Sequence, residues 1–248
     1  YVDKRIISYM KIVFDHKFGA QEHVQLEHYS ARLIDVDEDE VDIALDQGWL
    51  TDLNDDGDYE WYQCRSTRCN LSKVKNTEMY VDVSERQNNQ SKLFYAMNPS
   101  ISDDMVEQIY ERYCEYKKFS DLFHSEVSEW LDCDYKMVYY DSENPVAWSK
   151  MRLYTENALE TVLFAWDYQT PDLRVGIGSL MHEIGWAKEN GFEYVYLGPG
   201  YECGSIYKSN VDGFEWWTGS EWSTNTGEYI RLCKRDSEIK TIKELSEL

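Results

Sequence analysis

The chain has no apolar stretch long enough to cross a membrane: its longest, Thr161 to Trp166, is a strand's length, against the roughly 20 residues that a spanning helix needs. Positive charge is scarce as well. Lysine and arginine number 25 against 47 aspartates and glutamates, a net charge of −22, so the surface as a whole repels a polyanion. No internal repeat or low-complexity segment interrupts the sequence. Residues 1–24 show no apolar core followed by a small-residue cleavage site, and the expected location is the cytoplasm.

What is present suffices for a packed core. With 42% apolar and 15% aromatic residues, 248 residues fill one large domain or two small ones. The six cysteines would permit three disulfides in an oxidising compartment. Four of them, however, fall in apolar or aromatic helix and strand patterns where a thiol packs as a small hydrophobe, so reduced thiols are expected. Between residues 64 and 92 the charge balance reverses: Arg65, Arg68, Lys73, Lys75, Arg86 and Lys92 outnumber Glu78, Asp82 and Glu85. That stretch reads either as a local basic face or as an ordinary solvated one.

Residues 37–49 place Val41, Ala44, Leu45 and Trp49 on one helical face behind an acidic first turn, and a short amphipathic helix is expected. YEWYQC (59–64), EMYVDV (78–83) and KLFYAM (92–97) read as strands. Ser102 is placed to cap a helix with apolar or aromatic residues at 105, 106, 109, 110, 113 and 116, and a shorter helix is predicted over 124–131. Three strand-like runs follow, 135–141, 145–154 and 158–168, with connections short enough for an antiparallel meander. A helix from Gly176 to Asn190, closed by Gly191, carries an apolar face of Ile177, Leu180, Met181, Ile184 and Ala187. A strand at 193–198, a short helix over 204–209 and strands at 213–217 and 228–233 complete the pattern. The fold class is α+β, with a mixed, mainly antiparallel sheet flanked by helices.

Two constellations carry chemistry. VGIGS puts Gly176, Gly178 and Ser179 where a strand gives way to a helix, so backbone N–H groups and the helix dipole can hold an anionic donor group; a plain tight turn is the alternative. YVYLGPGYECGSIYKSN (194–210) is the second. A strand reaching Gly198-Pro199-Gly200 cannot continue its ladder and must splay from its neighbour, which leaves backbone at Tyr196, Leu197 and Gly198 for a carbonyl substrate. Beyond it Tyr207 and Lys208 offer a phenol and an ammonium that can protonate a leaving oxygen or hold a phosphate, or else pack as an ordinary Tyr and surface Lys.

The element order from KLFYAM onward is similar to that of the GNAT fold. Residues 175–217 resemble the C-terminal block of arginyl-tRNA-protein and bacterial leucyl-tRNA-protein transferases, with their SLG turn, alanine-containing helix, YLG strand and downstream YK. ALDQGW (44–49), a Tyr-containing strand, Cys69 and Lys73-Val74 resemble that family's N-terminal block, and Arg86 with the helix at 105–119 its middle. The implied division is an N-terminal α+β subdomain at 1–90 and a GNAT-like transferase domain at 91–248. The resemblance implies that an amine attacks the ester carbonyl of an aminoacyl-tRNA, which serves as co-substrate without a further cofactor. Tyr207, Lys208, Asp167 and Glu202 are then the catalytic candidates, with Asp167 and Glu202 orienting the amine. Arg65, Arg68, Lys73 and Arg86 are the tRNA-contact candidates. The alternatives are an acyl-CoA-dependent N-acyltransferase and a catalytically idle binding module on the same fold.

Departures from the family are definite. Cys64 and Cys69 have four residues between them, not CxxCxxC spacing, no proline follows, and Lys73 stands where arginine is expected, so no metal role is carried over. Acyl-CoA enzymes of the fold carry Gln or Arg three residues before the first glycine; here that residue is Leu173, with Arg174 one position late. Asp52 to Glu60 matches the first nine positions of a calcium loop, but Gln63 replaces the bidentate glutamate at the twelfth, and a turn is expected. His182-Glu183 opens like a zincin motif, yet Trp186 stands where the second histidine must be. Trp216, Trp217 and Trp222 are read as core of a terminal hairpin rather than as a base-stacking surface.

Overall fold

A computed structural model describes residues 11–15, 19–20, 26–27, 30–53, 59–75, 93–118, 133–168 and 175–239. The strand expected at 78–83, the helix expected at 124–131, Arg86, Leu173, Arg174 and the expected division at residue 90 lie outside them. The chain forms two compact units. One comprises residues 1–68, 198–210 and 214–248, the other 69–197 and 211–213.

In the first unit, strands β1 (Lys11–Asp15), β4 (Ser30–Ile34), β5 (Trp49–Leu53) and β6 (Tyr59–Gln63) form an antiparallel sheet in the order β1-β4-β6-β5, and β2 (Gly19–Ala20) pairs with β3 (Leu26–Glu27). Helix α1 (Val41–Asp46) follows a 3₁₀ turn at Glu38–Glu40, where the Glu40 carboxylate accepts from the Asp37 backbone N–H at 3.2 Å. Its Ala44 and Leu45 are buried as expected and Ala44 packs with Leu33 and Trp49, but Trp49, expected on the same helical face, instead opens strand β5. Strands β13 (Phe214–Trp217) and β14 (Trp222–Ser223) make a hairpin in which Trp217 opposes Trp222.

The stretch 228–233, expected as a strand, is instead part of a helix that here takes the label α4 (Thr226–Glu238). The Asn225 side chain caps it by accepting from the Glu228 N–H at 3.1 Å, and Tyr229, Cys233 and Asp236 are buried at a spacing of four and three. The cap and the 3.6-residue period decide for the helix.

In the second unit, β8 (Leu93–Met97), β9 (Tyr135–Asp141), β10 (Asn144–Thr155), β11 (Ala158–Trp166) and β12 (Tyr194–Pro199) lie in the order β12-β11-β10-β9-β8. All neighbours are antiparallel except β11 and β12, which are parallel. Strand β12, like β7 (Ser66–Asn70), crosses from one unit to the other in sequence, and it runs through Pro199, one residue past its expected end.

Two helices cover this sheet. Helix α2 (Asp103–Lys117) begins at the predicted cap, Ser102, and packs Val106, Ile109 and Tyr110 on Val138, Trp148 and Ala165. Strand residues alternate between faces, so their neighbours Tyr139, Ser149 and Phe164 face the other way, toward helix α3 (Val175–Glu189). Among the described residues no helix is long and apolar enough to cross a membrane.

Candidate active site

In the second unit the parallel register of β11 with β12 covers only Ala158↔Tyr194, Leu159↔Val195 and Glu160↔Tyr196. Past it, the Thr161 hydroxyl donates to the Tyr196 carbonyl at 3.4 Å, and β11 continues to Trp166 with no further partner in β12. The side chains of Tyr196 and Leu197 are buried.

Helix α3 starts toward the part of β11 beyond its pairing with β12. A Cβ placed on Gly176 would lie 3.9 Å from Phe164, an ordinary contact, and one on Gly178 would meet nothing within 4 Å. Among the described residues packing therefore demands neither glycine, and the backbone of this first turn is open at Gly178. Ile177 is 55% exposed, which corrects its assignment to the apolar face. Ser179 is corrected too: it is buried, and its hydroxyl donates to the Gly176 carbonyl at 2.9 Å instead of facing an anion.

The buried face of α3 is more polar than its sequence pattern suggests. Besides Leu180, Ile184 and Ala187 it buries Ser179, His182 and Glu183. The Tyr139 hydroxyl on β9 lies 2.9 Å from Met137 Sδ and 3.2 Å from the Ser179 carbonyl. The His182 ring packs on Tyr95 at 5.0 Å and on Tyr139 at 5.8 Å between centroids. Glu183 sits against Ser149, and burial pushes its carboxyl up to about 7. This acid escaped the sequence analysis as anything but half of a rejected zinc motif. The available signal was its position three residues after Leu180 and four before Ala187, squarely on the buried stripe.

The first unit holds Glu202, Tyr207 and Lys208. Gly198 has φ +73° and Glu202 φ +62°, so the chain turns sharply on either side of Gly200. A 3₁₀ helix, Cys203–Asn210, then presents Tyr207, 40% exposed, and Lys208, whose Nζ donates to the Pro199 carbonyl at 2.8 Å. The turn is anchored at several points. Thr67 donates to the Gly198 carbonyl at 2.7 Å, the Tyr229 hydroxyl to the Ser205 carbonyl at 3.0 Å, and Ser237 Oγ accepts from the Cys203 N–H at 2.8 Å.

Two of the tRNA-contact candidates are committed to the interior of that unit. Arg65 donates to Asp236 and to the Gly200 carbonyl, and lies 5.0 Å from the Tyr201 ring. Arg68 is buried, 2.8 Å from Glu215 and 4.0 Å from the Trp222 ring centroid. Neither belongs to an exposed basic face, which corrects their assignment: a guanidinium in a low-dielectric interior needs its own counter-charge. Lys73 is exposed, at the end of a short 3₁₀ turn in the second unit. Asp167, also in the second unit, accepts from Arg112 at 2.6 Å directly after β11. No group of three or more His, Cys, Asp or Glu residues is arranged for a metal ion among the described residues.

No family model matches the sequence, and no curated protein matches it. Among solved structures, the chain is similar to the C-terminal domain (DUF2156) of a putative lysylphosphatidylglycerol synthetase from Agrobacterium fabrum, with 12% identity and a TM-score of 0.39 over 65% of this chain and 51% of that one. It is similar to L-PGS from Bacillus licheniformis at 15% identity and a TM-score of 0.42, over 70% of this chain and 57% of that one. The third is a GCN5-related glucosamine N-acetyltransferase region of a fungal multi-domain beta-N-acetylglucosaminidase, at 14% identity and a TM-score of 0.44, over 68% of this chain and 20% of that one. The chain thus spans about half the length of the first two.

Proposed function

We propose that the chain is an aminoacyltransferase that moves an amino acid from aminoacyl-tRNA to an acceptor amine, a protein N-terminus or another amine. The observation that carries this reading is the end of the β11–β12 pairing at Glu160↔Tyr196 next to a helix whose glycine-rich first turn is open. Beyond that pairing the edge of β11 gives a donor carbonyl backbone to bond, and the helix start favours the donor's negative charge. The ester is already activated, so the protein's work is positioning.

In the reaction the amine nitrogen bonds to the ester carbonyl carbon, the carbon–oxygen bond to the tRNA ribose breaks, and one proton passes from the amine to the departing oxygen. Lys208 and Tyr207 are assigned to supply a proton at that oxygen. Arg112 fixes the Asp167 carboxylate at the end of β11, and Asp167 is assigned to orient the incoming amine. No metal or redox group has a part in this sequence of steps.

A second reading, an acyl-CoA-dependent N-acyltransferase, gains from one observation. With Arg65 and Arg68 engaged by acidic partners, two of the basic side chains expected to face a long polyanion are turned to other work, and CoA needs fewer of them. The test is incubation with total tRNA charged with labelled amino acids and a peptide acceptor pool, with labelled acetyl-CoA in parallel. Label resistant to ribonuclease and mild base supports aminoacyl transfer; label from acetyl-CoA alone supports the second reading; none from either overturns both. The Lys208→Ala and Tyr207→Phe proteins are each expected to lose on the order of 100-fold in turnover. Full turnover in both would overturn the site assignment.

A further inference from the structure

Glu183 is 2% exposed and Ser149 1% exposed, and they meet in the interface between α3 and the sheet. Among the described residues neither the Glu183 Oε1 atom nor the Ser149 hydroxyl makes a hydrogen bond of regular geometry. A charged carboxylate buried there has no charged partner among the described residues, the costliest state for a buried polar group. The titratable groups facing this seam are His182 on α3, Tyr139 on β9 and Tyr95 on β8. Lys150, next to Ser149 on β10, is buried as well and acts on Cys133. Tyr139 and Tyr95 are both held in their neutral forms by burial, so they offer Glu183 no balancing charge.

We infer that Glu183 is a positioning residue: its uncharged carboxyl, set against Ser149, seats the first half of α3 on the sheet, and its ionisation loosens that seat. The same seat carries Ser179, whose carbonyl lies at the Tyr139 hydroxyl, and through Ser179 the carbonyl of Gly176. A proton held deep in the interface therefore governs the geometry of the open first turn. Its bearing on a donor rests on the transfer reading above; the seat itself does not.

The experiment is backbone hydrogen exchange of the whole chain, corrected for the intrinsic pH dependence, in wild type and Glu183→Gln. Linkage with a carboxyl at about 7 in the seated helix and at its ordinary 4.5 in the opened one gives about a tenfold loss of protection in residues 175–183 between about pH 6 and about pH 8. Helix α2 is the internal control. Loss confined to α3 in wild type, and absent in Glu183→Gln, is the expected result. Equal loss in α2 and α3, or the same loss in Glu183→Gln, overturns the inference. Should the variant not fold, the contrast between α2 and α3 in wild type decides by itself. The donor KM separates the two readings: exchange as expected with a KM that ignores pH overturns the donor role of α3 while the proton-dependent seat stands.

Discussion

Helices α2 and α3 cover opposite faces of the same strands and are held by different means. Trp148 and Ser149 are neighbours on β10, one pointing to each helix. Trp148 is fully buried among Val106, Ile109 and Tyr110, and its indole N–H donates to the Val106 carbonyl at 3.1 Å. Ser149 is as deeply buried but faces a carboxyl, with polar atoms unsatisfied on both sides. The α2 interface is built for stability. The α3 interface gives some stability away and gains a dependence on protons and an open backbone at the helix start, an arrangement expected where a fold serves a ligand.

The contrast can be broken from either side. Trp148→Ala should cost about 3–5 kcal/mol, with little dependence on pH, in chemical denaturation followed by circular dichroism. Glu183→Gln should act in the opposite sense. A carboxyl raised in the folded state binds its proton more tightly there than in the unfolded chain, so wild-type stability is greatest below about pH 4.5 and declines as pH rises toward 7. The variant escapes that decline and should be more stable than wild type by about 3 kcal/mol above neutrality, with the advantage vanishing in acid. Denaturation midpoints of both proteins across this range check the sign.

Two smaller changes sharpen the comparison. Tyr139→Phe removes the hydroxyl at the Ser179 carbonyl and should cost about 1 kcal/mol by thermal melting, with the exchange loss confined to α3. Gly178→Ala adds a methyl group where nothing stands within 4 Å and should raise helix stability by roughly 0.5–1 kcal/mol. If the open turn receives a donor, the same variant raises the donor KM; a more stable protein with an unchanged KM would remove Gly178 from the site.

The sheet was legible in the sequence because its strands are apolar and aromatic runs between short turns. β9 spans Tyr135–Asp141 as expected, and β10, β11 and α2 fall within two residues of their expected bounds. Failures share a cause: the burying partner is distant in sequence. Residues 228–233 look like a strand until Asn225 is seen to cap a helix over them. Ser66–Asn70, rich in polar residues, gave no strand signal, yet Ser66, Thr67 and Arg68 are all buried, each with a partner far along the chain. At the candidate site the glycines of α3 and the strand before Tyr207 and Lys208 were legible as motifs. The inward turn of Ser179, the engagement of Arg65 and Arg68 and the burial of Glu183 were not, since each depends on which way a side chain points in the finished fold.

Gly200 shows how much a fold can hang on an atom that is not there. A Cβ at this position would come within 2.6 Å of the Thr67 methyl group and 2.7 Å of the Tyr229 ring. Thr67 is the residue that holds the Gly198 carbonyl, and Tyr229 the one that holds Ser205. One added methyl group would therefore evict the anchors on both sides at once and release residues 198–205 from their moorings. The hydrogen bonds that shape this turn thus enclose a space the size of a hydrogen atom, and every side chain in the genetic code is too large to fill it.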